Sequence, residues 1–490
     1  MPIDTPTEPK DILQEAQSDI RTPNQWLSIS GIALGVFIFA LDVYIVNLAI
    51  PSMVVSLNTS FAAIQWVILS YLLAIAIFVL TISKLGDVWN KKSLYIIGLI
   101  IFTLSSLLCG LSPGIGWLIA FRFLQGIGAA SLSGLGTAII VAIFPPQQRG
   151  LGLGVRAAVY GLGISLGPAV GGLLLQMGGW PLIFLVNVPI GILSCWLVAQ
   201  FVPPLPAIRT SHQVDSLGIV LLTITLACFS LGITLYQSGG LETLALILLI
   251  VSALSLVGFL RVEVYQIEPI LDFRLFRSLD FSLGLVLRFV GNFVMAGVIF
   301  ILPFFLELGQ NYPVGQAGLV ITLSSLVIVL AAPVAGALSD RFGSRFISFL
   351  GLGLMVLACW TISLMPLVST LPGLILSMGI YGLGVGMFTS PNNSTIMGAT
   401  PKDQVGVASG LLSLSRILGQ MVGLPLVSLL FSMTVFAQVV DPVVADVTHA
   451  PPEALIWATQ ITFRAMAILL VVLIFLAVIC LGTRRLRTDD

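Results

Sequence analysis

Apolar stretches of about 20 residues or more recur along this chain, divided by short polar breaks that hold nearly all of its charge. Fourteen such stretches fall at roughly 27–53, 62–84, 92–112, 115–143, 150–176, 181–201, 216–236, 241–261, 281–307, 315–337, 346–366, 371–396, 405–434 and 464–483. A hydrocarbon core supplies no hydrogen bonds to backbone groups, so runs of this length predict membrane-spanning helices. The expected fold class is an all-α integral membrane bundle.

Composition agrees with the pattern. Of 490 residues, 58% are hydrophobic and 9% charged, against about 25% charged in soluble domains. Acidic and basic residues balance at 21 each, which leaves no overall field to attract nucleic acid. Lys and Arg gather in alternate breaks, among them Lys84, Lys91, Lys92, Arg149, Arg209, Arg277, Arg341, Arg345, Lys402 and the tail Arg484, Arg485 and Arg487. The opposite breaks are nearly free of them, which predicts cytoplasmic termini. Residues 1–25 are acidic and read as a retained cytoplasmic tail, not a secretory leader; residues 485–490 form a second tail. Five cysteines in apolar runs and two distant histidines suggest neither a disulfide framework nor a metal site. No cofactor is expected, and no nucleophile–base set points to an enzyme. Gly150–Gly154 and Gly382–Gly386 imitate nucleotide loops but lack the strand and the Gly-Lys-Ser/Thr that would make them so.

Asp42 stands deep in the first stretch, where a carboxylate costs about 2.5–3.5 kcal/mol and must face a bundle interior or a watery cavity. Arg122 has a similar depth in the fourth stretch at 1.5 Å per residue, and Gln125 shares its face. An Asp42–Arg122 interaction, direct or through water, is expected. Arg288 and Asn292, four apart, either line the cytoplasmic half of a cavity or pair structurally. Arg416 lies near mid-helix and needs a polar partner. Glu307 ends the ninth stretch, as a hydrated interfacial carboxylate or a second proton or cation site. Gly163, Gly167 and Gly171 recur every four residues, a stripe for close helix approach; Pro168 bends that helix and Gly172 continues it.

Two breaks repeat one pattern, Ser83–Lys92 and Gly336–Arg345, with Asp87 and Asp340 253 positions apart. This suggests two six-helix halves, 26–201 and 281–484, around a midplane site. Region 202–280 adds two accessory helices, expected on the outside without substrate chemistry. In a loop of about eight residues, Gly343 permits a left-handed turn. Asp340 can take charge-assisted bonds from helix ends and arginines such as Arg341 and Arg345. The first copy keeps Asp87, Lys91 and Lys92 but has Ser83, Val88 and Asn90, so a weaker latch is expected.

Leu41–Pro51, the two repeated breaks, Arg122–Gly128, Gly163–Gly172, Glu268–Asp272 and Arg416 resemble the motifs of the major facilitator superfamily, specifically its fourteen-helix drug:proton antiporter family. The resemblance spans about 26–484. Glu307 departs from it, because that family usually has an amide there. The resemblance implies proton-coupled export of amphipathic organic compounds, often cationic or neutral, by alternating access. It assigns proton coupling to Asp42 and a relay to Arg122. Arginine stays charged, so the proton resides on a carboxylate. It also implies gating by the repeated loops, an antiport association for the Gly163–Gly172 pattern and a bacterial-type cytoplasmic membrane. The expected partners are a small organic substrate, protons and the lipid bilayer, with a monomer sufficient. A dedicated transporter of one metabolite, siderophore or lipid shares the scaffold, as does a proton-independent uniporter or importer.

Overall fold

Each apolar run closes its own backbone hydrogen bonds as a helix. The structure, a computed structural model, describes residues 25–144, 149–205, 216–237, 241–266, 275–366, 370–400, 405–439 and 446–488. The first half comprises α1 (Gln25–Ser56), α2 (Phe61–Ile64 and Trp66–Val88, broken at Gln65), α3 (Lys91–Gly110), α4 (Ile115–Ile143), α5 (Arg149–Gly178) and α6 (Pro181–Leu185 and Asn187–Phe201). The accessory pair is α7 (Ser216–Gln237) and α8 (Glu242–Tyr265). The second half comprises α9 (Leu279–Phe304, running on as a π-helical turn Phe305–Gly309), α10 (Val314–Phe342), α11 (Ser344–Ile362), α12 (Leu371–Gly398), α13 (Val405–Gln438) and α14 (Pro452–Thr488). The described residues hold fourteen spans long and apolar enough to cross a membrane, and no strand.

The internal repeat extends to backbone detail. α1 ends at Ser56 and α9's π turn at Gly309; α3 begins at Lys91 and α11 at Ser344. Both pairs keep the 253-residue offset of the two aspartates. So do Asn58 (φ 47°) and Asn311 (φ 55°), the described non-glycine residues with positive φ. Asparagine tolerates that conformation better than most residues, and each one turns the chain between the first and second helix of its half.

Several boundaries differ from the hydropathy reading. α14 opens at Pro452, about twelve residues early, because proline at a helix start lacks only an N–H that would be unpaired anyway. The expected eight-residue loop around Asp340 shrinks to Gly343 alone (φ 87°), whose N–H donates to Ser339 O at 2.9 Å. Asp340 and Arg341 are therefore in the last turn of α10. In the first copy Asn90 needs no such freedom: it caps α3, its side chain accepting from Lys92 N at 3.0 Å. α8 continues past Arg261 to Tyr265, so the buried Glu263 lies within that accessory helix.

The halves meet at the Ser56–Phe61 end, the end expected outside. The Phe61 ring lies 5.3, 5.0 and 5.9 Å from those of Phe300, Phe304 and Phe431, and its N–H donates to Asp446 Oδ2 at 2.7 Å. α5 meets α10 where a Cβ on Gly318 would stand 2.7 Å from Pro168 O and one on Gly172 3.3 Å from Gly315 Cα.

α7, expected on the outside without substrate chemistry, is hydrogen-bonded into the bundle. Gln65, fully buried at the break in α2, needs polar partners. It donates to Gln237 Oε1 at 2.9 Å and accepts from Ser428 Oγ at 2.7 Å, while Gln237 donates to Ser428 and Ser432 at 3.1 and 3.3 Å. One accessory helix thus ties the two halves together; only α8 is truly peripheral, with 22% of its apolar window buried. Gln237→Leu is expected to cost about 1–3 kcal/mol by orphaning buried groups, read as a lower melting temperature in detergent. An unchanged melting temperature would show the tie to be inert.

Candidate functional site

Asp42, on α1, has no exposed surface. Its Oδ2 accepts from Arg122 Nη1 at 2.6 Å, and its Oδ1 accepts from Gln125 Nε2 at 3.0 Å and Asn187 Nδ2 at 3.1 Å. Arg122, 1% exposed, also donates Nε to Val67 O at 3.0 Å and Nη1 to Gln125 Oε1 at 2.8 Å. Its guanidinium carbon lies 4.0 Å from the Tyr71 ring centroid, within cation–π range. Ser106 Oγ, itself donating to Phe184 O at 2.9 Å, accepts from Gln125 at 3.2 Å and from Asn187 at 3.1 Å.

The matched depths of Asp42 and Arg122 thus resolve into a direct ion pair, with Gln125 bonded to both. Asn187, Ser106 and Tyr71 were not anticipated. Asn187 carried a usable signal, an amide early in the otherwise apolar 181–201 run; Tyr71 and Ser106 carried none, being ordinary residues of membrane helices.

The cluster has a chemical consequence. Three donors already point at the carboxylate and solvent does not reach it. The three bonds fill all but one of the carboxylate's roughly four lone-pair positions, and the acid is sealed from water in this arrangement.

The second half builds something different at the equivalent place. Aligned by the end of α1 and of α9's π turn, α9 follows α1 by 253 positions; aligned by helix starts, α12 follows α4 by 256. The mates of Asp42, Arg122 and Gln125 are then Met295, Met378 and Tyr381. All three line one narrow pocket of about 20 Å³ between the halves, together with Tyr44, Val298, Ser324 and Ser325. Where one half holds the ion pair, the other holds a mainly apolar recess.

The glycine stripe of α5 positions the acid's helix. A Cβ on Gly163 would lie 2.7 Å from Ala40 Cβ, one on Gly167 2.9 Å from Tyr44 Cβ, and one on Gly171 2.9 Å from Ile45 Cγ1. These three glycines seat α1, while Pro168 and Gly172 face α10 across the junction of the halves.

The other expected residues are dispersed. Arg288 donates Nε to Leu412 O at 2.8 Å and Nη1 to Asn393 Oδ1, and Asn292 bonds Arg288 O at 2.9 Å. Arg416 is half-buried and makes no hydrogen bond or ion pair among the described residues. Glu307 sits in the π-helical turn, roughly 18 Å nearer the expected outer end than Asp42 by helical rise; its Oε1 is buried without a hydrogen bond. Among the gating residues, Arg345 pairs with Asp280 in the first turn of α9, a partner not foreseen. Asp340 and Arg341 are exposed and unpaired among the described residues. Lys92 Nζ donates to Ala199 O at 2.8 Å, and Lys91 is buried. The side chain of Asp87 and the Glu268–Asp272 motif lie outside the described residues. The described residues hold no group of three or more His, Cys, Asp or Glu able to bind a metal ion.

Compared with known proteins, residues 32–424 and 285–489 match the family model described as Major Facilitator Superfamily. The Riboflavin transporter RibZ of Clostridioides difficile (strain 630) is 33% identical over 415 residues, 84% of this chain and 89% of that protein. The Multidrug resistance protein Stp of Mycobacterium tuberculosis (strain CDC 1551 / Oshkosh) is 29% identical over 401 residues, 81% of this chain and 74% of that one. Among solved structures, a bacterial homolog of the human lysosomal transporter Spinster, inward-facing and unoccupied, superposes with a TM-score of 0.67 at 18% identity, covering 93% of this chain and 95% of that one.

Proposed function

The chain belongs to the Major Facilitator Superfamily, and from that premise we propose that it is a proton-coupled secondary exporter of amphipathic organic compounds, working by alternating access. The observation that carries this reading is the sealed Asp42–Arg122–Gln125–Asn187 cluster. Protonating this acid cancels the charge that holds Arg122, and so couples proton binding to a change of helix contacts. One elementary charge crossing 100 mV supplies roughly 2.3 kcal/mol, to which a pH gradient adds.

The contacts of Phe61, Gln65, Pro168 and Gly172 with the second half form the gate that parts when the cavity turns outward. At the other end Asp340, Arg341 and Gly343 form the latch of that second orientation, with Arg345 leaving Asp280 to join it. Both termini face the cytoplasm across a bacterial-type cytoplasmic membrane, and a monomer suffices. The apolar pocket around Met295, Met378 and Tyr381 suits binding of loose specificity, and a relative named a multidrug resistance protein supports broad export. A relative named a riboflavin transporter favours a second reading, a carrier dedicated to one metabolite.

Reconstituting the full chain into liposomes and imposing a pH gradient tests both. Uphill movement of several unrelated amphipathic compounds, abolished by a protonophore, is the expected result. Movement of a single compound selects the dedicated carrier, and movement indifferent to the protonophore contradicts proton coupling.

A further inference from the structure

Three arginines inside the spans, Arg156, Arg288 and Arg416, meet no carboxylate among the described residues. Arg288 and Arg416 are held at one level by the packing of α9 against α13. Ser415 Oγ donates to Leu285 O at 2.9 Å, and Arg288 Nε donates to Leu412 O at 2.8 Å. Gly419 and Gly423 admit the carbonyls of Phe289 and Phe293 to where a Cβ would be 2.4 and 2.5 Å away. Arg416 thus stands within about one turn of Arg288, and the two guanidinium groups act on each other through space. Arg288 leaves Nη2 without a hydrogen bond among the described residues, and Arg416 leaves all three nitrogens so.

In the first half, Arg156 has a buried Nε without a partner, lying 3.7 Å from where a Cβ on Gly136 would be. Tyr160, one turn along α5, is an electrostatic neighbour of both Arg156 and Arg288. Arg416 is likewise a neighbour of Tyr44 and Tyr71. Two buried hydroxyls here, Tyr71 Oη and Tyr381 Oη, have no hydrogen-bond partner, a rarity that calls for an explanation. The described carboxylates do not balance this charge. Asp42 is committed to Arg122, and Asp280 lies two turns nearer the expected cytoplasmic end, paired with Arg345.

Ionised side chains in a membrane interior are costly and mark substrate or ion paths, and a guanidinium's fork of donors fits carboxylate or phosphate oxygens. We infer that Arg288 and Arg416 bind the anionic head of an amphipathic organic acid whose apolar body lies toward the Met295–Met378–Tyr381 pocket. This deepens the exporter reading and rests on it only for direction. An inside-negative potential drives an organic anion outward, so such a cargo fits export, and it departs from the cationic or neutral compounds that the sequence resemblance suggested.

Fluorescence polarisation on the full-length protein in detergent at near-neutral pH tests the site. The probes are fluorescein, an anion, and rhodamine 6G, a cation on the same xanthene frame. Fluorescein is expected to bind at least about tenfold more tightly, and Arg416→Gln to weaken it by about tenfold or more without weakening rhodamine 6G. Arg416→Lys, which keeps the charge, should retain most of the affinity and shows that the position tolerates substitution. Tighter binding of rhodamine 6G, no fluorescein binding by folded protein, or indifference of fluorescein to Arg416→Gln would each overturn the inference. Fluorescein binding that depends on Arg416, without any pH-driven transport, would uphold this site while removing the exporter reading. PH-driven export with no such dependence would do the reverse.

Discussion

Asp42→Asn is expected to lower pH-driven export by about 100-fold or more, because it leaves Arg122 charged and unpaired in the bilayer interior, at a cost of about 3–5 kcal/mol for half of a buried pair. The amide still fits the pocket and can accept from Gln125 or Asn187, so the protein should insert. Part of the loss will come from stability, and a second change separates the two effects. Asp42→Asn combined with Arg122→Gln removes both charges, and its melting temperature should recover most of the way to wild type. Its transport should not recover. Non-additivity of this size is expected for residues in direct contact. A single variant that pumps normally, or a double variant that regains transport, would remove Asp42 from the mechanism.

Gly318→Leu is expected to abolish turnover while leaving the protein folded. Gly318 faces Pro168 O so closely that even a Cβ would lie at 2.7 Å, and a leucine there holds α10 off α5 in the closed arrangement. In an orientation where the halves part at this level, the same leucine has room. Gly163→Leu gives the contrast. That glycine meets Ala40 and Phe37 within one half, where no state offers relief, so a loss of stability of about 1–3 kcal/mol or more is expected. Melting temperature and turnover measured on both variants separate a moving junction from a fixed one. Normal turnover by Gly318→Leu would mean that α5 and α10 do not come this close during transport.

How much of this was legible beforehand depends on the kind of signal. Helices announced themselves because lipid allows no alternative for a long apolar run, and the 253-residue offset showed in two short charged patterns. Arg122 was found from depth alone, since a lone charge in such a run has to be answered by another. Helix ends were less legible: Asp340 and Arg341 lie in a helix because one glycine completes the turn, and hydropathy says nothing of caps. The role of α7 was hidden for a different reason. Gln237 is an unremarkable end residue until the break at Gln65 brings a second buried amide beside it. Likewise Met295, Met378 and Tyr381 look like packing residues in sequence, and gain meaning only as the mates of Asp42, Arg122 and Gln125 in the other half.

The central claim is that Asp42 carries the proton that drives transport. It is tested most directly by trapping a pH-sensitive dye in proteoliposomes and recording proton flux when a transported compound is added. Wild-type protein is predicted to dissipate the imposed gradient only in the presence of the compound, and Asp42→Asn to show no compound-dependent flux. Equal proton flux through the two proteins would contradict the account.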